Sequence, residues 1–471
     1  MSTQGVAPSQ QTDVLSRHAE AGEPPNRMWH NVLRIGAGGH VQCLIAARAG
    51  RAGWRPGSPN LFAVAVLCED HSPSLLSALA RMFAAAVILA TAPLLVGIYA
   101  YLGYPVVLWM IAVTRGRRET SVTASDWPTV TVSVPVYNAA SNIRSTLERL
   151  LELDYPRDRL QLLVISDGST DGTDDIVREL ADRGVELLRI PERKGKTMAE
   201  NAALAAARGE IIVNVDATVQ VPPGSLKPLI RAFEDSTVGV ASSRDVSVGT
   251  RQHAGPAAES TYVGYEMWIR DLETRIGSIV GASGCFYAFR RSIRAKALRS
   301  DLSWDFASAL VAREQGYRSV SVPAATCLVP RTADLRSEMK RKVRTMARGI
   351  STLLHYRRLM DPSRYGLFAF MLVSHKLLRW VPYLLVPPAL LALAILATDN
   401  IAARILLGFV AAGVGFALIG IRRRESTGFK PVAIAAFALV TFCAGVNAWW
   451  VALRKAEMAM WEPTRRPEAQ T

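Results

Sequence analysis

Cysteine is scarce in this 471-residue chain: five residues, Cys43, Cys68, Cys285, Cys327 and Cys443, with no CxxC and no repeated spacing. That excludes a disulfide framework and a cysteine-held metal site, and points to free thiols facing the cytosol. Acidic residues are in the minority, 40 Asp and Glu against 55 Lys and Arg, leaving a net charge of +15. In a chain that is 50% hydrophobic, such an excess has two ordinary sources: nucleic-acid binding, or arginines flanking membrane segments. Interleaved basic and aromatic residues are missing, as is zinc-finger spacing. The expected partner is therefore a lipid bilayer and not nucleic acid.

Residues 1–81 lack sustained periodicity and are rich in Gly, Pro, Arg and Ser, which predicts a poorly ordered N-terminal extension. GAGGHV (Gly36 to Val41) is not a dinucleotide fingerprint, because Val41 replaces the third glycine and no strand precedes it. LFAVAVLC (Leu61 to Cys68) is too short to span a bilayer. Met82 opens a strongly hydrophobic stretch and is a candidate translation start.

What the chain has in abundance is long apolar runs. Residues 82–114 are almost uncharged and exceed the roughly 20 residues a crossing needs, so they predict one long or tilted transmembrane helix without a signal-peptide cleavage site. Arg115, Arg117 and Arg118 follow, which by the positive-inside rule places the next domain on the cytoplasmic side. Residues 331–379 read as a basic, amphipathic interfacial segment, although Gly366 to Ala397 already carries His375, Lys376 and Arg379 in an apolar block. Residues 380–453 read as transmembrane helices and 454–471 as a tail. The expectation is a multi-pass cell-membrane protein. Four spans would put Arg454, Arg465 and Arg466 outside, against the charge rule, so the span number stays open.

Between the apolar runs, residues 127–330 alternate strand-like and helix-like segments: TVTVSVPVYN, then LQLLVISD, VELLRI and IIVNVD, with helical stretches between them. The alternation predicts an α/β domain with a mostly parallel sheet and helices on both faces. IIVNV is a continuous apolar run broken only by Asn214, and it enters Asp216 directly. Ligands collect at the carboxyl ends of such strands. Two readings stand open for Asp216 alone: a turn or capping residue, or a ligand for a metal ion or phosphate-bearing substrate. Asp167 ends VISD, and Asp305 lies in SWDF before another helical stretch. Three aspartates placed at segment ends of one sheet suit a diphosphate-linked substrate. One carboxylate accepts from base or ribose, one holds a divalent cation and one deprotonates an incoming hydroxyl.

The series VSVPVYN, VISDGSTDGT, RKGKTMAEN, VNVDATV, GASGCFYAFRR, SWDF and RKVRT resembles the family-two, GT-A-fold glycosyltransferases. Within them it is similar to membrane-embedded polysaccharide synthases (hyaluronan, cellulose and chitooligosaccharide synthases) over about Tyr101 to Trp461. The resemblance implies a GT-A-type sheet embedded between transmembrane helices. It implies that Pro135, Tyr137, Asn138, Asp167, Lys196, Asp216 and Arg344 bind the nucleotide sugar, with Gly195 and Asn201 nearby. Asp216 would be the metal ligand, with Mg2+ or Mn2+ as cofactor, and Asp305 the catalytic base. Ser283, Gly284, Trp304 and Arg341 would shape the acceptor end, with Trp304 stacking on a sugar ring. The chain departs from the pattern at Ala139, at Thr218 (the second DxD position), at Trp304, and at Arg341 and Thr345 in place of the Gln and Trp of QxxRW.

The same RKVRT segment is also an interfacial helix with Lys340, Arg344 and Arg348 on one face for anionic headgroups. The implied activity is inverting sugar transfer from a nucleotide donor, UDP-linked by resemblance, to a growing polysaccharide. Single transfer to a lipid or lipid-linked acceptor, and a catalytically degenerate export or scaffold role, are the alternatives. No motif names the sugar or any export partner subunit.

Overall fold

The computed structural model describes residues 73–115, 126–248, 254–293, 297–330, 335–422 and 430–454. GAGGHV, LFAVAVLC, Arg117, Arg118 and the tail beyond Arg454 lie outside the described residues. The chain divides into residues 1–84 and 85–471.

The first apolar helix, α1 (Pro73–Ile98), begins earlier than the Met82 boundary expected from composition. It passes through a π-helical turn, Tyr99–Gly103, into α2 (Tyr104–Arg115). The sheet follows: β1 (Val130–Val136), α3 (Ile143–Leu151), β2 (Leu160–Asp167), α4 (Thr173–Arg178), β3 (Val185–Ile190), α5 (Lys196–Ala206) and β4 (Ile211–Val215). Next come α6 (Leu226–Arg231), β5 (Val238–Val248), α7 (Ala254–Ile276), β6 (Phe286–Arg290), α8 (Trp304–Glu314) and β7 (Arg318–Pro330). The strand order is β3-β2-β1-β4-β6-β5-β7, parallel except for β6, which runs antiparallel between β4 and β5. The mostly parallel α/β sheet expected from the alternation is present.

All seven residues of β1 are buried, because the strand is covered on both faces. Val130, Val132, Val134 and Val136 pack with Ile143, Leu147 and Leu150 of α3 on one face. On the other, Leu163 and Ile165 of β2 meet Ala199 and Ala203 of α5. Full burial of each Val or Leu contributes roughly 1.5–3 kcal/mol, so the valine alternation is what fixes the strand register. The chain moves outward from β1 to β2 and β3, then returns to pair β4 on the other side of β1. That reversal opens a crevice beyond the carboxyl ends of β1 and β4, where Tyr137, Asn138 and Asp216 emerge.

After the sheet come α9 (Leu335–His355), α10 (Pro362–Tyr365), α11 (Leu367–Leu372), α12 (Leu378–Trp380), α13 (Pro382–Leu396), α14 (Ile401–Arg422) and α15 (Lys430–Arg454). Among the described residues, three helices, Ala80–Arg115, Ile401–Arg422 and Ala435–Arg454, are long and apolar enough to cross a membrane, or four if the pair Leu367–Trp380 and Pro382–Leu396, bent by 50°, is one span. The charges His375 and Arg379 inside that pair are buried and find partners within the protein. His375 bridges Glu273 (Nδ1 to Oε1, 2.6 Å) and Glu266 (Nε2 to Oε1, 2.8 Å) of α7. Arg379 donates to Glu266 Oε2 at 2.7 Å, and Tyr104 donates to Glu273 at 2.6 Å. Partnered in this way, the ionic groups avoid the penalty of an isolated buried charge.

Candidate active site

At the ends of β1 and β2 the backbone turns sharply. Asn138 has a φ of 47°, a left-handed conformation that Asn tolerates, and its Oδ1 accepts from Thr170 N at 2.9 Å. Asp167 is 1% exposed, and its two oxygens accept from Lys194 N and Gly195 N at 2.7 Å each. The structure therefore uses Asp167 to hold the 193–195 loop. Gly168, at φ 71°, must lack a side chain, because a Cβ would stand 2.9 Å from Arg193 N. The loop lays the Arg193 guanidinium over the Tyr137 ring, 3.7 Å from its centroid. Pro135 is buried inside β1, beyond Ser133, the last residue paired to β4.

Lys196 follows Gly195 and opens α5, which carries it into a cavity of about 240 Å³. Lys196, Glu200, Asp216, Thr218, Gly284, Trp304, Asp305, Arg341, Arg344 and Arg348 line that cavity, bringing together α5, α8, the helix Leu335–His355 and the turns after β4 and before β6. Lys196 Nζ donates to Asp216 Oδ1 at 2.5 Å and lies 3.8 Å from Glu200 Oε1. Burial by itself would lower the Lys196 ammonium; Asp216 and Glu200 outweigh it and hold it above the ordinary lysine value. Glu200 moves the other way. Burial, reinforced by the negative charges of Asp305 and Asp216 and opposed by Lys196, pushes its carboxyl up to about 7.

Asp305 is not at a strand end, as the sequence suggested, but in the first turn of α8. Its Oδ1 accepts from the Ser303 hydroxyl and from Phe306 N at 2.8 Å. Its Oδ2 lies against Gly284, where a Cβ would come within 2.8 Å, so the glycine admits the carboxylate. Ser283 is 2% exposed; its hydroxyl donates to Asp245 Oδ1 and Oδ2 at 2.7 and 2.6 Å, and so it anchors the turn beneath the site instead of meeting an acceptor. Trp304 also differs from expectation. The indole is 2% exposed, packs on Phe289 with ring centroids 5.6 Å apart, and donates to Asn201 Oδ1 at 3.0 Å. It is a floor for the cavity and not a platform open to a sugar ring.

Arg341, Arg344 and Arg348 recur every three or four residues on α9 and line the cavity from one helix face. Arg348 Nη1 donates to Thr197 Oγ1 at 3.3 Å, and Thr352 Oγ1 accepts from Ser303 N at 3.0 Å, docking α9 on α5 and on the residue before α8. Of the stripe read as lipid-facing, Arg344 and Arg348 turn inward and Lys340 is exposed. Sequence reasoning missed Glu200, Arg193, Asp245 and the inward aim of Arg348. The four-residue interval between Lys196 and Glu200 was the signal for the first.

Among the described residues, no group of three or more His, Cys, Asp or Glu forms a metal site. Asp216 offers one carboxylate and Thr218 lines the cavity two residues on. Mg2+-type cations commonly take only one or two protein carboxylates and complete their shell with substrate phosphates and water. The donor set fits a cation that arrives with a diphosphate, and does not fit one caged by protein alone.

The description "Glycosyl transferase family 2" matches residues 131–298. The probable glycosyltransferase YdaM of Bacillus subtilis is 37% identical over 95 residues, 19% of this chain and 23% of that protein. A beta-monoglucosyldiacylglycerol synthase of Nostoc is 26% identical over 174 residues, 36% of this chain and 37% of the synthase. The chain thus spans well under half the length of these curated relatives. Among solved structures, the mannosyltransferase PcManGT from Pyrobaculum calidifontis, in complex with GDP-Man and Mn2+, superposes with a TM-score of 0.60 and 26% identity, covering 80% of this chain and 100% of that one. The sheet order, the cavity at its switch point and these likenesses converge: residues 131–298 match the glycosyl transferase family 2 model, on a fold of GT-A type.

Proposed function

We propose that this chain transfers a hexosyl residue, with inversion, from a nucleoside diphosphate sugar to an acceptor hydroxyl presented at a membrane surface. The observation that carries the reading is the convergence of Asp216 and Asp305, from different elements, on one cavity with Lys196, Arg341 and Arg344. Asp305 Oδ2 takes the proton of the acceptor hydroxyl while Ser303 and the Phe306 N–H hold Oδ1. The acceptor oxygen forms its bond to the anomeric carbon as the bond to the diphosphate oxygen breaks. The diphosphate leaves with the electron pair, and Lys196 and Arg344 stabilise its charge, the planar guanidinium gripping phosphate oxygens in pairs. A divalent cation on Asp216, Mg2+ or Mn2+, would neutralise the diphosphate when bound. Tyr137, Asn138 and Arg193 form the nucleotide end, with Asp167 fixing the loop between the two ends.

In this reading residues 127–330 are the transferase domain, on the cytoplasmic side, and 331–379 lie at the membrane interface. Helices within 82–114 and 380–453 form the membrane part. The family resemblance favours a UDP-linked donor and a growing polysaccharide as acceptor; the solved neighbour's GDP-Man adds GDP-sugars as candidates. A lipid acceptor taking a single sugar is the second reading. Thr345, in place of the QxxRW tryptophan, and the diacylglycerol synthase among the relatives favour it.

Membranes containing the chain should be given a panel of UDP- and GDP-sugars with Mn2+ or Mg2+, and nucleotide release and labelled product followed. The expected result is cation-dependent release with one donor. A ladder of products supports polymer synthesis, and a single lipid-extractable product supports the second reading. No release with any donor would refute both and leave the export or scaffold role.

A further inference from the structure

Glu200 has no part in the transfer just described, yet it lines the cavity at only 5% exposure. Its carboxylate lies one helical turn from Lys196, 3.8 Å from the ammonium that donates to Asp216 at 2.5 Å. Lys196 therefore stands between two carboxylates on different elements, Asp216 after β4 and Glu200 on α5. Glu200 is held from below. Asn214 Nδ2 lies 3.5 Å from its Oε1, and Asn214 is itself fixed by Ser133 Oγ at 2.7 Å and Tyr287 Oη at 2.7 Å. The one polar interruption in the apolar run of β4 is thus a buried ladder that ends on Glu200. Arg348 and Asp305 are the other charges that face it.

An ammonium and a divalent cation repel each other strongly at contact distance on a shared carboxylate oxygen in a partly dry site. Thr218 supplies no second carboxylate, so a cation on Asp216 needs that side chain released from Lys196. We propose that Glu200 is the alternate seat of Lys196: with Asp216 holding a cation, the Lys196 ammonium would turn to Glu200 and keep its charge beside the diphosphate. Rotation of the terminal bonds of Lys196 suffices to close the gap to a charge-assisted contact of about 2.8 Å. Glu200 is a positioning residue, acting through Lys196, and the inference rests on the site reading above.

The test is calorimetric titration of the full-length, detergent-solubilised chain with Mn2+ in the presence of GDP or UDP. Glu200→Gln is expected to weaken Mn2+ affinity about ten-fold, and Glu200→Asp, which keeps the charge, to stay within about three-fold of wild type. In a Lys196→Met background the competition is gone, and adding Glu200→Gln should then change Mn2+ affinity less than about two-fold. If Glu200→Gln does not fold, Glu200→Leu removes the same charge at similar volume and takes its place. Unchanged Mn2+ affinity on loss of the Glu200 charge overturns the inference. So does an equal loss in the Lys196→Met background. A wild-type chain whose nucleotide binding ignores Mn2+ overturns the site reading first, and the inference with it.

Discussion

Asp305 and Gly284 form a pair in which the smallness of one residue defines the position of the other. A methyl group at 284 would stand 2.8 Å from Asp305 Oδ2 and must displace the carboxylate. Gly284→Ala is expected to lower turnover about 10- to 100-fold, with donor KM nearly unchanged, because misplacing a base by about 1 Å is that costly; steady-state kinetics check it. Glu200 sets a second expectation. Its carboxyl is raised from 4.5 to about 7 in the folded chain, so between those values the native state binds the extra proton and stability falls as pH rises. Below the ordinary value and above about 7 the contribution is flat. In cation-free, nucleotide-free buffer, the thermal midpoint should therefore drop between about pH 5 and pH 8, and drop less in Glu200→Gln. Asp216 was legible as a strand-end acid because the apolar run before it is continuous. Glu200 was not, because a Lys–Glu pair four residues apart usually marks a solvated helix face, and only the packing of α5 against β1 and β2, with Asn214 of β4 beside it, buries it.

The helix α9 joins the site to the apolar helices. One face carries Arg341, Arg344 and Arg348 into the cavity, while Ala347 and Ile350 pack with Ala448, Trp449 and Ala452 of α15. Gly349 lets the Trp380 ring approach, since a Cβ there would meet it at 2.9 Å. Gly349→Ala forces the indole or the helix aside, at a cost of about 1–3 kcal/mol. It should lower the thermal midpoint and raise donor KM through the shifted Arg344; unchanged KM would separate α9 from donor binding. The stripe of arginines was visible in the sequence, but its target was not. A basic stripe suits lipid headgroups or phosphates equally, and the choice is made by tertiary contacts, the bonds of Arg348 to Thr197 and Thr352 to Ser303. The seven-stranded sheet, in contrast, was readable wherever valine-rich runs ended in turn residues. Asp305 was assigned to a strand end because SWDF contains too few residues to show which element it belongs to.

At the scale of the whole molecule, the proposed function has residues 127–330 and the apolar helices act at one membrane. The turn between α13 and α14, at Thr398–Asn400, is exposed and carries few apolar groups. If α13 crosses outward and α14 returns, Asn400→Cys should react with a membrane-impermeant maleimide on intact cells. Reaction only after permeabilisation would place both helices differently. The apolar runs were legible from composition; the bent 367–396 pair was not, because its charges find partners on α7, far away in sequence.

If this cavity performs sugar transfer with Asp305 as base, wild type and Asp305→Asn must differ in turnover and not in nucleotide binding. The measurement is nucleoside diphosphate release coupled to acceptor glycosylation, alongside nucleotide binding on the same preparations. The account predicts a loss of turnover of about 10²- to 10⁴-fold with nucleotide affinity retained. Wild-type turnover by Asp305→Asn with every donor that the chain uses would contradict it.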